Sequence, residues 1–246
     1  MSYSFGKSIV TDGLVFYVDA GNDNSYPGFG GTWSDLIGGN DGSFNNMDDI
    51  NNPSNNYNSA NGGSIQLDGT NENITIGNVG GNANCISVWV ELPSAVTAAS
   101  PAKGLLCISG NSGTTQGGIG FGSIAGAATN ETIMILDGNN TIQYGRTYTR
   151  DNLSAGWNNI VINWNGTNYD FYINGSYATT YEGGFSGLDD GHVSLLPASN
   201  VVLGMGWYDN ITQVFEGKFA TCAIYNSSLT AAQILQNYNA LKNRFI

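Results

Sequence analysis

The chain is 246 residues long, with 35 glycines against 5 prolines, and only 11% of it is charged, less than half the ordinary share. Nineteen acidic against seven basic residues leave a net charge of −12, which repels phosphate backbones and anionic lipid, so no nucleic-acid and no membrane partner is expected. Helix formers such as Lys, Glu and Arg are scarce, and no apolar run approaches the roughly 18 residues of a membrane span, so the composition predicts an all-β chain.

Residues 1–12 form an N-terminal segment without the apolar stretch of a secretory signal, which implies synthesis in a cytoplasm. Its Tyr3, Phe5 and Ile9 are too few to build a core; they either fold back on the domain or dock on a neighbouring protein. Leu14 to Asp19 predicts the first strand, and Ala20 to Gly63 is a polar excursion expected as a packed loop on Trp33, Leu36, Phe44 and Tyr57. Ser64–Leu67 and Asn73–Ile76 read as a strand pair across Asp68-Gly69-Thr70-Asn71. Ile86–Val90 and Leu105–Ser109 are buried-type strands, followed by Gly117–Ile124, Thr132–Leu136 and Thr141–Tyr144. From Trp157 to Ala178 the turns are chemically specified. Ile160, Ile162 and Trp164 alternate with Val161 and Asn163, Asn165-Gly166 turns the chain, Tyr169, Phe171 and Ile173 alternate again, and Asn174-Gly175 turns it once more. Trp157, Ile160, Ile162, Trp164, Phe171 and Ile173 are expected in one core.

His192–Leu196, Asn200–Met205 and Gln213–Tyr225 complete the strands. Short strands between turn signals require two sheets packed face to face, because a single open sheet cannot bury both faces. One helix is predicted at residues 230–243, with Thr230 as N-cap, Gln233 at its third position, and Ile234, Leu235, Tyr238 and Leu241 as an apolar stripe. Lys242 and Arg244 suit its negative pole. With no repeat and no linker, residues 1–246 read as a single domain.

The segments Leu14–Ala20, Trp33-Ser34-Asp35-Leu36, Gly39–Gly42, Ile65–Glu72, Ile86–Val90, Phe215–Phe219 and Ile224–Ile234 together resemble laminin-G-like domains of the concanavalin A-like lectin/glucanase superfamily. The chain is also similar to versions found among virion structural proteins of tailed phages. The resemblance implies an all-β, two-sheet antiparallel sandwich of jelly-roll type with one short C-terminal helix. It further implies a non-enzymatic virion protein, an oligomer in some contexts, decorating the capsid or tail. Its partners would be the major capsid or tail protein, and its location the virion. The alternative is a carbohydrate-binding, lectin-like module for host or glycan recognition.

The residues carry less about activity. Cys85, Cys107 and Cys222 lie in apolar runs without CxxC spacing, which suits small buried hydrophobes better than disulfides or zinc. Glu72, Glu91, Glu131, Glu182 and Glu216 are scattered, Asp189-Asp190 reads as a turn, and His192 is the single histidine. Neither a paired-carboxylate glycosidase site nor a Ser/His/Asp triad is therefore expected. Trp207, Tyr208, Asp209 and Asn210 follow a strand, and aromatic faces beside amide and carboxylate groups suit a sugar; the same rings would also pack across the sandwich edge. Tyr26, Trp33 and Tyr148 share that ambiguity. Asp19, Asn22 and Asp23, with Asn24, form an oxygen-rich loop that is either a calcium site or an Asx turn; no other cofactor is expected.

Overall fold

The computed structural model describes residues 8–47, 56–97, 100–109, 116–122, 131–138, 144–182, 193–206 and 214–246. In chain order the described strands begin with β1 (Leu14–Asp19), β2 (Thr32–Trp33), β3 (Gly42–Asn45), β4 (Tyr57–Asn58), β5 (Ser64–Asp68), β6 (Asn73–Gly77) and β7 (Cys85–Leu92). They continue with β8 (Lys103–Ser109), β9 (Gln116–Phe121), β10 (Ile133–Gly138), β11 (Tyr144–Thr149), β12 (Gly156–Trp164) and β13 (Tyr169–Ile173). β14 (Ser176–Ala178), β15 (Thr180–Glu182), β16 (Val201–Leu203) and β17 (Glu216–Tyr225) follow, then helix α1 (Ala231–Leu241) and a 3₁₀ turn at Lys242–Arg244.

The pairing is antiparallel throughout, in two sheets. Sheet A runs β14-β13-β12-β7-β17-β5-β4, and β1 pairs with the far half of β17 beyond the stretch that β5 occupies. Sheet B runs β15-β11-β10-β9-β8-β16-β6-β3-β2. Alternation decides which side chains go between them. Ile86, Val88 and Val90 of β7 meet Ile160 and Ile162 of β12, Phe171 of β13 and Phe219, Cys222 and Ile224 of β17 in one buried core with Leu105, Ile119, Ile133 and Ile135 of sheet B. All three cysteines are free and buried, as small hydrophobes would be.

Several expectations need correction. β5 and β6 do not pair: β5 joins sheet A and β6 joins sheet B, so the turn at 68–72 is a crossing between layers. Buried Glu72 fixes that crossing by accepting the Asp68 N–H (2.7 Å) and the Asn56 side-chain amide (2.9 Å). The 20–63 excursion contributes β2, β3 and β4. The strand expected at Thr141–Tyr144 runs on to Thr149, with 141–143 outside the described residues, and β15 was not foreseen. Residues 193–196 are not a strand; there the Tyr169 hydroxyl accepts the Leu196 N–H (3.1 Å) and donates to the Ala83 carbonyl (2.8 Å).

Trp157 has the opposite parity to Ile160 and Ile162 and stands half-buried on the outer face of sheet A, while Trp164 and Ile173 only partly enter the core. In α1 the Thr230–Gln233 capping box forms as expected. The buried stripe is Ile234 and Asn237, however, and Leu235 is 47% exposed. Ile234 rests on Val161, Ala223 and Tyr225, the apolar end of sheet A's outer face. Ile9 and Val10 join that cluster, so this part of the N-terminal segment folds back; Tyr3 and Phe5 lie outside the described residues.

Candidate functional site

Strand register sorts the outer face of sheet A into rows. At the rim, Glu216 stands opposite Asp68. Two residues inward, Lys218 stands between Gln66 and Glu91, and Glu91 in turn stands opposite Trp157. The next row is Asp19, Thr221, Trp89 and Asn159, and the one after it contains Ala223, Ser87, Val161 and Tyr172 under α1. Polar and charged side chains thus give way to tryptophan and then to apolar cover along one face.

The charged rows line a cleft of about 590 Å³ with Gln66, Asp68, Glu91, Glu216 and Lys218 around it and Leu92, Pro93 and Gly156 among its walls. Lys218 Nζ forms an ion pair with Glu91 Oε2. Asp68, Gln66 and Glu216 are exposed. Gly217 closes the floor: its φ is 146°, and a Cβ there would stand 2.3 Å from the Glu91 carbonyl oxygen and 2.7 Å from the Phe215 ring. A second cleft of about 250 Å³ shares Leu92, Pro93 and Glu216 and adds Lys103, Phe121 and Phe215. Both open where β5, β7 and β9 end and where β8, β12 and β17 begin.

Trp207, Tyr208, Asp209 and Asn210 lie outside the described residues. The residues on either side of them are at this rim. Gly206 packs against Gly104, whose added Cβ would meet Gly206 N at 2.0 Å, and Phe215 N–H returns to the Gly204 carbonyl (2.9 Å). The other loop aromatics are core or platform residues. Trp33 and Tyr26 are buried, and Tyr148 stacks on Tyr181 (5.6 Å) with the Arg150 guanidinium over Tyr181 (4.4 Å).

At the oxygen-rich loop, Asp19 is taken up by other groups. Its carboxylate accepts Arg244 Nη1 on both oxygens (2.9 Å each), the Gly21 N–H (2.8 Å) and the Tyr17 hydroxyl (3.2 Å). Burial, together with this carboxylate, pushes the Tyr17 phenol well above its ordinary range. Asn22 Oδ1 accepts the Asn24 N–H (3.0 Å), an Asx turn, and Asp23 is exposed. Among the described residues no group of three His, Cys, Asp or Glu side chains is placed to hold a metal. Cross-strand register unites Asp68, Glu91, Trp157 and the pair Glu216 and Lys218 from four separate strands, which no linear spacing reveals.

Two packed antiparallel sheets with one short C-terminal helix are the architecture of a concanavalin A-like jelly roll. Residues 59–235 match the model of the concanavalin A-like lectin/glucanases superfamily, and the chain belongs to that family. No curated protein sequence matches it. Among solved structures it is similar to domain 4 of AbnA, a GH43 extracellular arabinanase from Geobacillus stearothermophilus, in complex with arabinotriose. That likeness has 16% identity and a TM-score of 0.57, covering 92% of this chain and 98% of that one. It is similar to Trypanosoma rangeli sialidase in complex with 2,3-difluorosialic acid (13% identity, TM-score 0.53), covering 97% of this chain but 34% of the sialidase. A third likeness is to the binding domain of botulinum neurotoxin serotype D/C (15% identity, TM-score 0.54), covering 93% of this chain and 52% of that one.

Proposed function

We propose that this protein is a non-catalytic glycan-binding module whose ligand lies in the rim cleft on sheet A. The observation that carries the reading is the cleft itself. It offers fixed acceptors (Glu91, Asp68, Glu216), a mixed donor and acceptor (Gln66) and a cation (Lys218) on one open face, with Leu92 and Pro93 among its walls. Hydroxyls need such convergent polar groups, and the C–H face of a sugar ring needs an aromatic partner. The fold neighbour solved with arabinotriose, matched over nearly its whole length, supports the class of ligand. Trp207, read from the sequence as a sugar-stacking residue, directly follows Gly206 in the chain and joins the same proposal.

Hydrolysis is not part of it. A glycosidase needs one carboxyl shielded in an apolar pocket as acid, whereas Asp68 and Glu216 both stand in water and Glu91 is paired with Lys218. Calcium has no part either, because Arg244 already neutralises Asp19. Nothing in the family or the neighbours carries the virion-surface role, with its capsid or tail partners, that the sequence resemblance implied.

The test is calorimetric titration with arabinotriose, xylotriose and cellotriose, with and without EDTA. One of them should bind, equally well in EDTA, and Lys218→Ala should weaken it about tenfold, the loss of one charged hydrogen bond. Binding untouched by Lys218→Ala and by Trp207→Ala would remove the rim from the site, and release of shorter sugars would make the protein an enzyme.

A further inference from the structure

The Glu91–Trp157 row is followed by a row that the chain's own C-terminus covers. Phe245 lies against Trp89 (ring centroids 4.4 Å apart, 26° between planes) and against Trp157 (4.6 Å, 39°). Tyr238 stacks on Trp89 as well (5.6 Å, 8°). Phe245 remains half-buried, and Ile246 beyond it is 77% exposed.

Two polar atoms in this row are buried without a partner: the Trp89 indole N–H and Asn159 Oδ1. The two residues are direct cross-strand partners, each 1% exposed. One atom is a donor and the other an acceptor, which is the complement of a hydroxyl group. A phenyl ring supplies neither function, so Phe245 fills the aromatic slot and leaves its polar positions unsatisfied. The tail is held by its neighbour instead. Arg244 bonds both Asp19 oxygens and the Asn61 carbonyl (3.2 Å), and the Asn61 side chain accepts the Trp157 indole N–H (2.9 Å) while donating to the Arg244 carbonyl (3.1 Å).

We propose that the Trp89–Asn159–Trp157 surface is a second sugar subsite continuous with the cleft, and that Arg244–Phe245 is its intramolecular plug. The proposal rests on the glycan-binding reading. Successive rows on one face are two residues, about 6.8 Å, apart along the strand, so the covered row takes the next sugar of an oligosaccharide seated in the cleft. That sugar stacks on the tryptophans where Phe245 now sits and places a hydroxyl between Trp89 and Asn159. Apparent affinity for longer chains is then reduced by the fraction of molecules in which the tail is seated.

The full-length wild type, Arg244→Ala and Phe245→Ala would be titrated with the tri- and hexasaccharides of arabinose, xylose and cellobiose series, with melting curves recorded for each. Arg244→Ala keeps every aromatic side chain in the protein and releases the tail, so a gain shared by both variants does not come from deleting one ring, and the melting curves show whether each variant is folded. Both variants should bind a hexasaccharide roughly five- to thirtyfold more tightly than wild type, with trisaccharide affinity unchanged. Adding Trp157→Ala to Phe245→Ala should abolish the gain. If both variants stay folded and bind the hexasaccharides no better, while Lys218→Ala still weakens wild-type binding, the tail is structural and only this inference falls. If wild type and both variants bind no sugar at all, the glycan reading falls with it.

Discussion

Replacing Asn237 by alanine should unpin the N-terminal segment from the rest of the molecule. Asn237 is 5% exposed on the underside of α1, and it closes a triangle. Its Oδ1 accepts the Val10 N–H (2.8 Å), its Nδ2 donates to the Tyr225 hydroxyl (2.9 Å), and that hydroxyl donates to the Val10 carbonyl (3.0 Å). Truncation leaves the Val10 amide without its acceptor in a place where water has little access, a cost of about 1–3 kcal/mol. The Tyr225 hydroxyl keeps Val10 as acceptor, so its lost bond adds little, and the missing amide leaves a small cavity worth about 1 kcal/mol. The sum is about 2–4 kcal/mol, or roughly 5–15 °C in melting temperature for a domain of this size. Urea titration and calorimetry would measure it, with the exposed neighbour Asn239→Ala as control, expected within about 0.5 kcal/mol of wild type. Hydrogen exchange at Val10 should accelerate in parallel. A loss below about 1 kcal/mol, with Val10 exchange unchanged, would refute the triangle.

Gly217→Ala should cost at least about 2 kcal/mol, because φ is 146° and the new methyl collides with the Glu91 carbonyl and the Phe215 ring. Gly156→Ala, also left-handed (φ 89°) but with nothing within 4 Å, should cost only the backbone strain of about 1–2 kcal/mol; equal losses in urea unfolding would mean the Gly217 contact relaxes freely. In alkali the fold should weaken. Burial raises the phenols of Tyr17, Tyr225 and Tyr26, the last to about 12, so each folded-state value lies above the unfolded one near 10. Their contribution is complete below pH ~10 and is lost as pH rises through the folded values, at about 1.4 kcal/mol per pH unit and group. Melting temperatures flat from pH 10 to 12 would contradict it.

The sandwich was legible because hairpin chemistry is local. Asn174 adopts φ 51° and Gly175 φ 79°, so the turn between β13 and β14 is written in two adjacent residues. The 68–72 turn misled because Asp68-Gly69 has the same local look, while buried Glu72 and the pairing of β5 with distant β17 send the strands to different sheets. Trp157 was misassigned for a related reason. Its two-residue offset from Asn159 gives it outward parity, but a tryptophan within a core strand reads as core unless the covering tail is known. The rim cleft had no linear signature, since Glu91, Lys218 and Asp68 become neighbours only through register.

The outer face of sheet A also explains why this domain needs its C-terminal helix. A sheet whose outer face were polar along its whole length would need no cover. Here Val161, Ala223 and Tyr225 are apolar on that side, and α1 buries them with Ile234. Cover that ends at Leu241 would leave Trp89 half-capped, so the chain continues through Lys242–Arg244 and sets Phe245 on it, tied down by Asp19. The same stretch of tail therefore settles two quantities together. It fixes how much apolar surface the fold hides, and under the proposed glycan reading it also sets how far along the face a ligand entering at Glu91 and Lys218 would extend. Substitutions at Arg244 should accordingly trade stability against reach, whereas those at Ile234 should cost stability without changing which sugar lengths bind.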